Sequence, residues 1–323
     1  MAHYLITGVA GFIGSNLARE LVRRGESVRG FDNFETGKRE NVRELLGKIE
    51  FRELDLLDAK AVVDACRGVD YVLHQAAIPS VPRSVIDPRG SHEANINGTL
   101  NVLLAAREAG VKRVVYAASS SAYGDTPSLP KHEEMMPNPI SPYAVQKLTG
   151  ELYLSSFCRV YGLETVSLRY FNIFGPRQDP ASQYSGVLAK FITQMLAGDV
   201  CTIFGDGEQS RDFTYVENAV NANLLACRAP AERVAGRVFN VATGERFSLN
   251  QTFRILSEIT GYSGTPRYAE VRAGDVKHSL ADISRTRSAM GYEPTVRFEA
   301  GLRRTVDWYK ENVVPQSGVA GKR

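Results

Sequence analysis

The chain has 323 residues, 43% of them apolar and 23% charged, so it can bury one large core or a large and a small domain. Its net charge of +3 is spread along the chain with no basic run on a helix face, which gives nucleic-acid binding no support. No apolar run approaches membrane-spanning length; Cys66, Cys158, Cys201 and Cys227 form no CxxC and have no His pair nearby, so a disulfide framework or metal site is not expected and reduced thiols in a cytoplasm are.

In chain order, His3–Thr7 is a short apolar run that reads as a buried strand, and it leads directly into Gly8, Gly11 and Gly14. Ile13, Leu17 and Leu21 then recur at helical spacing. Strand, glycine turn and helix in that order suit a pyrophosphate lying over a helix N-terminus, although the spacing is GxxGxxG instead of GxGxxG. A second strand, Val28–Asp32, ends in an acid. Asp32 can accept the two hydroxyls of an adenosine ribose and repel a 2′-phosphate, which favours NAD over NADP; alternatively, with Asn33, it is a strand-end turn residue. Asp55 and Leu56 follow a strand near Ile49–Glu53, in the position of an adenine contact, though Asp is common at strand ends.

Further strands are read at Asp70–His74, Arg113–Ala118, Thr165–Tyr170 and Val238–Val241, separated by periodic stretches such as Thr99–Ala109 and Pro142–Tyr161. This alternation predicts an α/β fold, a doubly wound parallel (Rossmann) sheet with a smaller, discontinuous C-terminal substrate domain. The division expected is 1–175 with 213–243 for the dinucleotide, 176–212 with 244–314 for the substrate, and a tail at 315–323. His74 and Trp308 read as packing residues.

The strand Arg113–Ala118 delivers Ser119, Ser120 and Ser121 at its carboxyl end, where ligands bind in open sheets; as a bare triplet they could equally be a polar loop. Ser141 suits an N-cap, Pro142 the first helical position, and Gly162 a helix end. On the helix between them Tyr143 and Lys147 lie four apart, on one face, where an ammonium can favour a phenolate. A tyrosine and a lysine at this spacing can also be two unrelated surface residues.

The ordered set of glycine loop, Ser119, Tyr143 and Lys147 resembles the extended short-chain dehydrogenase/reductase family, and within it the nucleotide-sugar 4-epimerases, over about residues 1 to 310. The resemblance implies a Ser119, Tyr143, Lys147 catalytic triad and bound NAD. It places the cofactor against Gly8, Gly11, Phe12, Ile13, Gly14, Asp32, Asn33 and Gly37. Further cofactor contacts fall on Asp55, Leu56, Gln75, Ala76, Ala77, Asn95, Tyr143, Lys147 and Tyr170. It places substrate against Ser80, Ser120, Ser121, Tyr143, Asn172 and Val187, with Thr202, Phe204, Arg211, Arg272, Asp275 and Ser279 completing the set. The dehydratases of the family carry Asp and Glu where this chain has Ser120 and Ser121, and the UDP-glucuronate decarboxylases carry Glu at Ser121. Serine supplies no carboxylate for elimination, so the chain reads as an epimerase.

The reaction so implied is reversible inversion at C4 of a UDP-hexose by transient hydride transfer to bound NAD through a 4-keto sugar. Seven positions after Arg272, where glucose-limited epimerases carry a bulky tyrosine, this chain has Ser279. With Ser80-Val-Pro-Arg83, that resembles the UDP-N-acetylglucosamine 4-epimerases and points to UDP-GlcNAc/UDP-GalNAc, with UDP-Glc/UDP-Gal also open. Ser279 could instead merely cap a turn. The alternatives are a UDP-glucuronate 4-epimerase, with Arg83 as one candidate carboxylate partner, and a non-catalytic dinucleotide sensor. The resemblance also implies a homodimer through the helix after Asn95 and the one carrying Tyr143.

Overall fold

The apolar runs between turn residues become the strands of one parallel sheet. The structure is a computed structural model that describes residues 1–180, 186–271 and 277–313. Seven strands lie side by side in the order Arg237–Val241, Glu164–Tyr170, Arg113–Ser119, Tyr71–His74, His3–Thr7, Ser27–Asp32 and Glu50–Glu53. Every pairing in that sheet is parallel. Central strands are buried on both faces, which is why they read as unbroken apolar runs and not as alternating patterns.

The chain first runs outward through the second and third strands, then returns to place Tyr71–His74 on the other side of His3–Thr7. That reversal opens a crevice between the loops after Thr7 and after His74. Gly8 sits in it with φ of 70°, and a Cβ there would come within 2.7 Å of the Ala76 backbone. The helix that follows, Phe12–Arg23, starts at Gly11 with no side-chain cap, so its first amide groups are left for another acceptor.

Helix Pro142–Tyr161 has the bounds its caps predict. Ser141 Oγ accepts from the Ala144 amide at 3.2 Å, and Gly162 closes the far end with φ of 72°. The helix before it begins earlier than its periodicity suggests: Glu93–Asn97 is a π-helical turn that runs into the α-helix Gly98–Glu108. The wider turn brings Asn95 inward, where its side chain accepts from the Ile78 amide at 2.8 Å and donates to the Ile78 carbonyl at 3.2 Å.

Beyond Phe174 come the short strands Thr202–Phe204, paired with Arg267–Ala269, and Ser210–Arg211, paired with Phe247–Ser248. An aromatic cluster of Phe174, Phe213, Phe247 and Phe298 supports them, with Phe247 and Phe298 stacked at 4.3 Å. Trp308 lies half-buried against the same core. The four cysteines are free thiols, and among the described residues no helix is long and apolar enough to cross a membrane and no metal-binding cluster occurs.

Candidate active site

A cleft of about 1220 Å³ follows the carboxyl edge of the sheet from Asp32 to Ser279, larger than one drug-sized ligand needs. One end is the glycine loop. Gly8, Gly11, Phe12, Ile13 and Gly14 line it, and a Cβ on Gly14 would fall 2.2 Å from the Gly8 carbonyl oxygen, so the close turn requires glycine. Asp32 accepts from the Ala10 amide at 2.9 Å and the Phe34 amide at 2.8 Å while still bordering the cleft. Burial raises its pKa, and the two amide bonds oppose that shift. Gly37 lies against this carboxylate, where a Cβ would come within 2.6 Å of Oδ1. Asn33 donates to Asp55 at 2.7 Å, and both border the cleft with Leu56.

The opposite wall holds Gln75, Ala76 and Ala77, and buried His74 anchors it. Thr99 Oγ1 donates its proton to the Asn95 carbonyl at 2.7 Å, so at 2.9 Å it must accept from His74 Nε2. Nδ1 then accepts from Thr7 Oγ1 at 2.7 Å, and that hydroxyl in turn accepts from the Ala76 amide at 3.1 Å. His74 is therefore a neutral Nε2–H tautomer that holds the loop from beneath. Tyr170 closes this side through Gln75 at 3.3 Å and Asn223 at 2.7 Å, the latter a contact no sequence motif announced.

In the middle stand Ser119, Tyr143 and Lys147, all on the cleft wall. Ser121 donates both its amide, at 3.2 Å, and its hydroxyl, at 2.9 Å, to Ser119 Oγ. With both contacts accepted, the Ser119 proton is directed outward, and the Ser119 side chain meets the Tyr143 phenol. Burial pushes Tyr143 up to about 12, with Ser119 pulling the other way. Lys147 is buried on the same helix, four residues on from Tyr143. Its Nζ donates to the Ala117 carbonyl at 2.9 Å and lies 4.8 Å from the Tyr116 ring centre. The carbonyl end of the neighbouring strand competes for it. Burial lowers Lys147 to about 7, against the pull of Glu151 one turn on. Glu151 is itself locked to Arg169 by bonds of 2.9 and 2.7 Å.

At the far end Ser80, Ser120, Ser121, Asn172, Arg211 and Ser279 line the same space. Asn172 holds φ of 39° while donating to the Asp212 carbonyl at 3.0 Å, a left-handed conformation of the kind concentrated at functional sites. His278, beside Ser279, also lines this end and was not singled out from the sequence.

Four expected contacts are not on the cleft wall. Asn95 is buried beneath the 75–78 loop with its amide spent on Ile78 and Gln146, so it shapes the wall without reaching it. Val187 begins helix Val187–Ala197, and the preceding Gly186 takes the wall position. Thr202 and Phe204 sit on a strand paired with Arg267–Ala269, set back from the cleft. Arg272 and Asp275 lie outside the described residues.

The cofactor implied by the sequence fits these features. The uncapped helix N-terminus offers amide donors to a pyrophosphate, glycines give backbone access, and Asp32 offers a carboxylate that suits ribose hydroxyls and repels a 2′-phosphate.

Residues 4–242 match the NAD dependent epimerase/dehydratase family. The chain is similar to the UDP-glucose 4-epimerase of Thermotoga maritima, solved with UDP-glucose: 39% identity, TM-score 0.91, covering 96% of this chain and 99% of that one. It is similar to the UDP-N-acetylglucosamine 4-epimerase of Methanobrevibacter ruminantium M1, solved with UDP-N-acetylmuramic acid: 40% identity, TM-score 0.91, covering 96% and 98%. The UDP-glucuronate 4-epimerase of Thermodesulfobacterium geofontis is 34% identical over 97% of this chain and 98% of its own length. The chain belongs to the NAD-dependent epimerase/dehydratase family and is an NAD-dependent enzyme of its nucleotide-sugar epimerase type.

Proposed function

We propose that the enzyme inverts C4 of a UDP-hexose reversibly, with UDP-GlcNAc/UDP-GalNAc as substrates and UDP-Glc/UDP-Gal accepted in the same pocket. The observation that carries this reading is the small serine at 279 on the cleft wall that also holds Tyr143 and Ser119, where a large side chain would exclude an N-acetyl group. Ser120 and Ser121 support an epimerase over the eliminating and decarboxylating members, because neither supplies a carboxylate.

NAD supplies a hydride acceptor and donor for C4 when bound. Tyr143 takes the 4-hydroxyl proton and returns it to the product, and Ser119 shares the hydrogen bond along the path set by Ser121. Lys147 holds the ribose edge of the site and carries the positive charge that offsets a phenolate. Since burial alone disfavours that phenolate, Tyr143 ionises only with positive charge brought close to it. Arg211 grips the diphosphate while the sugar remains loosely held, so that either face can meet the reacting groups. Its Nη1 is oriented by the Ser210 and Lys277 carbonyls at 3.0 and 3.1 Å.

The glucuronate reading needs a cation for the sugar carboxylate. Arg83, the candidate, is already paired with Glu35, which counts against it. Incubating the protein with UDP-GlcNAc, UDP-Glc and UDP-GlcA separately, with and without added NAD, tests the assignment. Formation of UDP-GalNAc supports it; turnover of UDP-GlcA alone would overturn it.

We also propose that two copies pair through Gly98–Glu108 and Pro142–Tyr161. Leu104, Val145, Leu152, Val160 and Tyr161 are exposed on these adjacent helices, Leu152 by 63%. Apolar groups so placed favour a protein partner. The free cysteines and the absence of any paired thiol among the described residues support a reducing, cytoplasmic setting.

A further inference from the structure

We infer that His278 is a diphosphate-binding residue that takes up a proton when the nucleotide sugar binds. The inference rests on the UDP-sugar reading above and extends it to a residue outside the triad and the arginine.

The geometry is a small clamp. The Ser210 amide donates to the Lys277 carbonyl at 3.1 Å and the Ser279 amide to the Ser210 carbonyl at 3.0 Å, so residues 277–279 are fixed against strand Ser210–Arg211. This register puts His278 and Arg211 on the same cleft wall, next to Ser279. His278 Nδ1 lies 2.9 Å from Ser210 Oγ, and among the described residues Nε2 has no hydrogen-bond partner.

Charge around this imidazole is lopsided. Arg211 acts on it from the paired strand, Lys277 from its own segment, and Arg246 from the residue before strand Phe247–Ser248. The opposing acid is Asp125, whose carboxylate accepts from the Lys277 amide at 3.3 Å. Three cations against one acid hold His278 below its ordinary value, after the larger effect of partial burial. A diphosphate carries two negative charges and would offset that excess of positive charge, removing the repulsion that disfavours a protonated imidazole.

Protonation then needs no rearrangement. Ser210 Oγ can donate to a neutral Nδ1 or accept from a protonated one, because a hydroxyl does both. In the charged form Nε2–H is a donor to a phosphate oxygen, and such a charge-assisted bond is stronger than its neutral counterpart. The proton comes from solvent and returns to it on release.

Calorimetric titration of the folded holoenzyme with UDP-GlcNAc and UDP-Glc, in buffers of different ionisation enthalpy near neutral pH, tests the inference. These sugars carry no group that titrates near neutrality, so proton uptake belongs to the protein. The wild type is expected to take up a proton fraction on binding. Its affinity should tighten with falling pH above the free imidazole range, toward a ceiling of about tenfold per pH unit. His278→Gln keeps a donor amide without titrating, and it should bind with a flat pH profile and without that uptake. Equal uptake in wild type and His278→Gln, or none in the wild type, overturns the role of His278. Absence of any UDP-sugar binding by the folded wild type overturns the functional reading and this inference with it.

Discussion

Ser279 lines the cleft, and under the proposed function it is the residue whose size sets which sugar substituents are accepted. Ser279→Tyr should abolish turnover of UDP-GlcNAc while sparing UDP-galactose, read as kcat/KM on the two sugars; equal loss of both would contradict the gate. Tyr143 and Lys147 were legible in sequence through their helical spacing, and Ser119 through the family resemblance of the ordered set. The partner of Lys147 was not legible. Ala117 lies on strand Arg113–Ser119, thirty positions earlier, and only the packing of the helix on that strand brings Nζ within 2.9 Å of its carbonyl. His278 escaped notice for a similar reason, since its meaning comes from Ser210, sixty-eight positions away along the chain.

At the scale of elements, the capped helix Pro142–Tyr161 and the buried strands were legible from local chemistry. The π-helical turn Glu93–Asn97 was not, because Asn95 is drawn in by the Ile78 backbone and not by any local preference. Gly150 within the long helix has a packing reason: a Cβ would come within 2.4 Å of the buried Tyr116 hydroxyl, one turn from Lys147. His74 links strand, loop and helix, and it has a measurable consequence. Burial lowers it to about 3 from an ordinary 6.5. The folded protein thus binds fewer protons than the unfolded chain between those values. Stability contributed by the neutral imidazole is fully present above pH 6.5 and is lost as pH falls toward 3. The loss amounts to roughly 5 kcal/mol when complete. Urea unfolding across that range should show a flatter acid limb for His74→Gln than for wild type; parallel curves would contradict a buried neutral histidine.

For the whole molecule, the reversal of strand order next to His3–Thr7 sets one half of the cleft, and Asn172, Arg211, His278 and Ser279 border the other end. The first half was the more legible, because its glycine loop and Asp32 follow strands whose ends are marked by sequence. Thr202 and Phe204 illustrate the opposite case: strands of two or three residues take their register from tertiary partners. The exposed apolar positions on the two adjacent helices predict a dimer, and Leu152→Arg should convert it to monomer in sedimentation velocity. A monomeric wild type at micromolar concentration would contradict the pairing.

The central claim, inversion at C4 by removal and return of the same hydride, is tested most directly with UDP-GlcNAc carrying deuterium at C4. The account predicts UDP-GalNAc that retains deuterium at C4 when the reaction runs in ordinary water. Product in which that deuterium has been replaced by solvent hydrogen would show proton abstraction at carbon and contradict the assignment of Tyr143 to the hydroxyl proton.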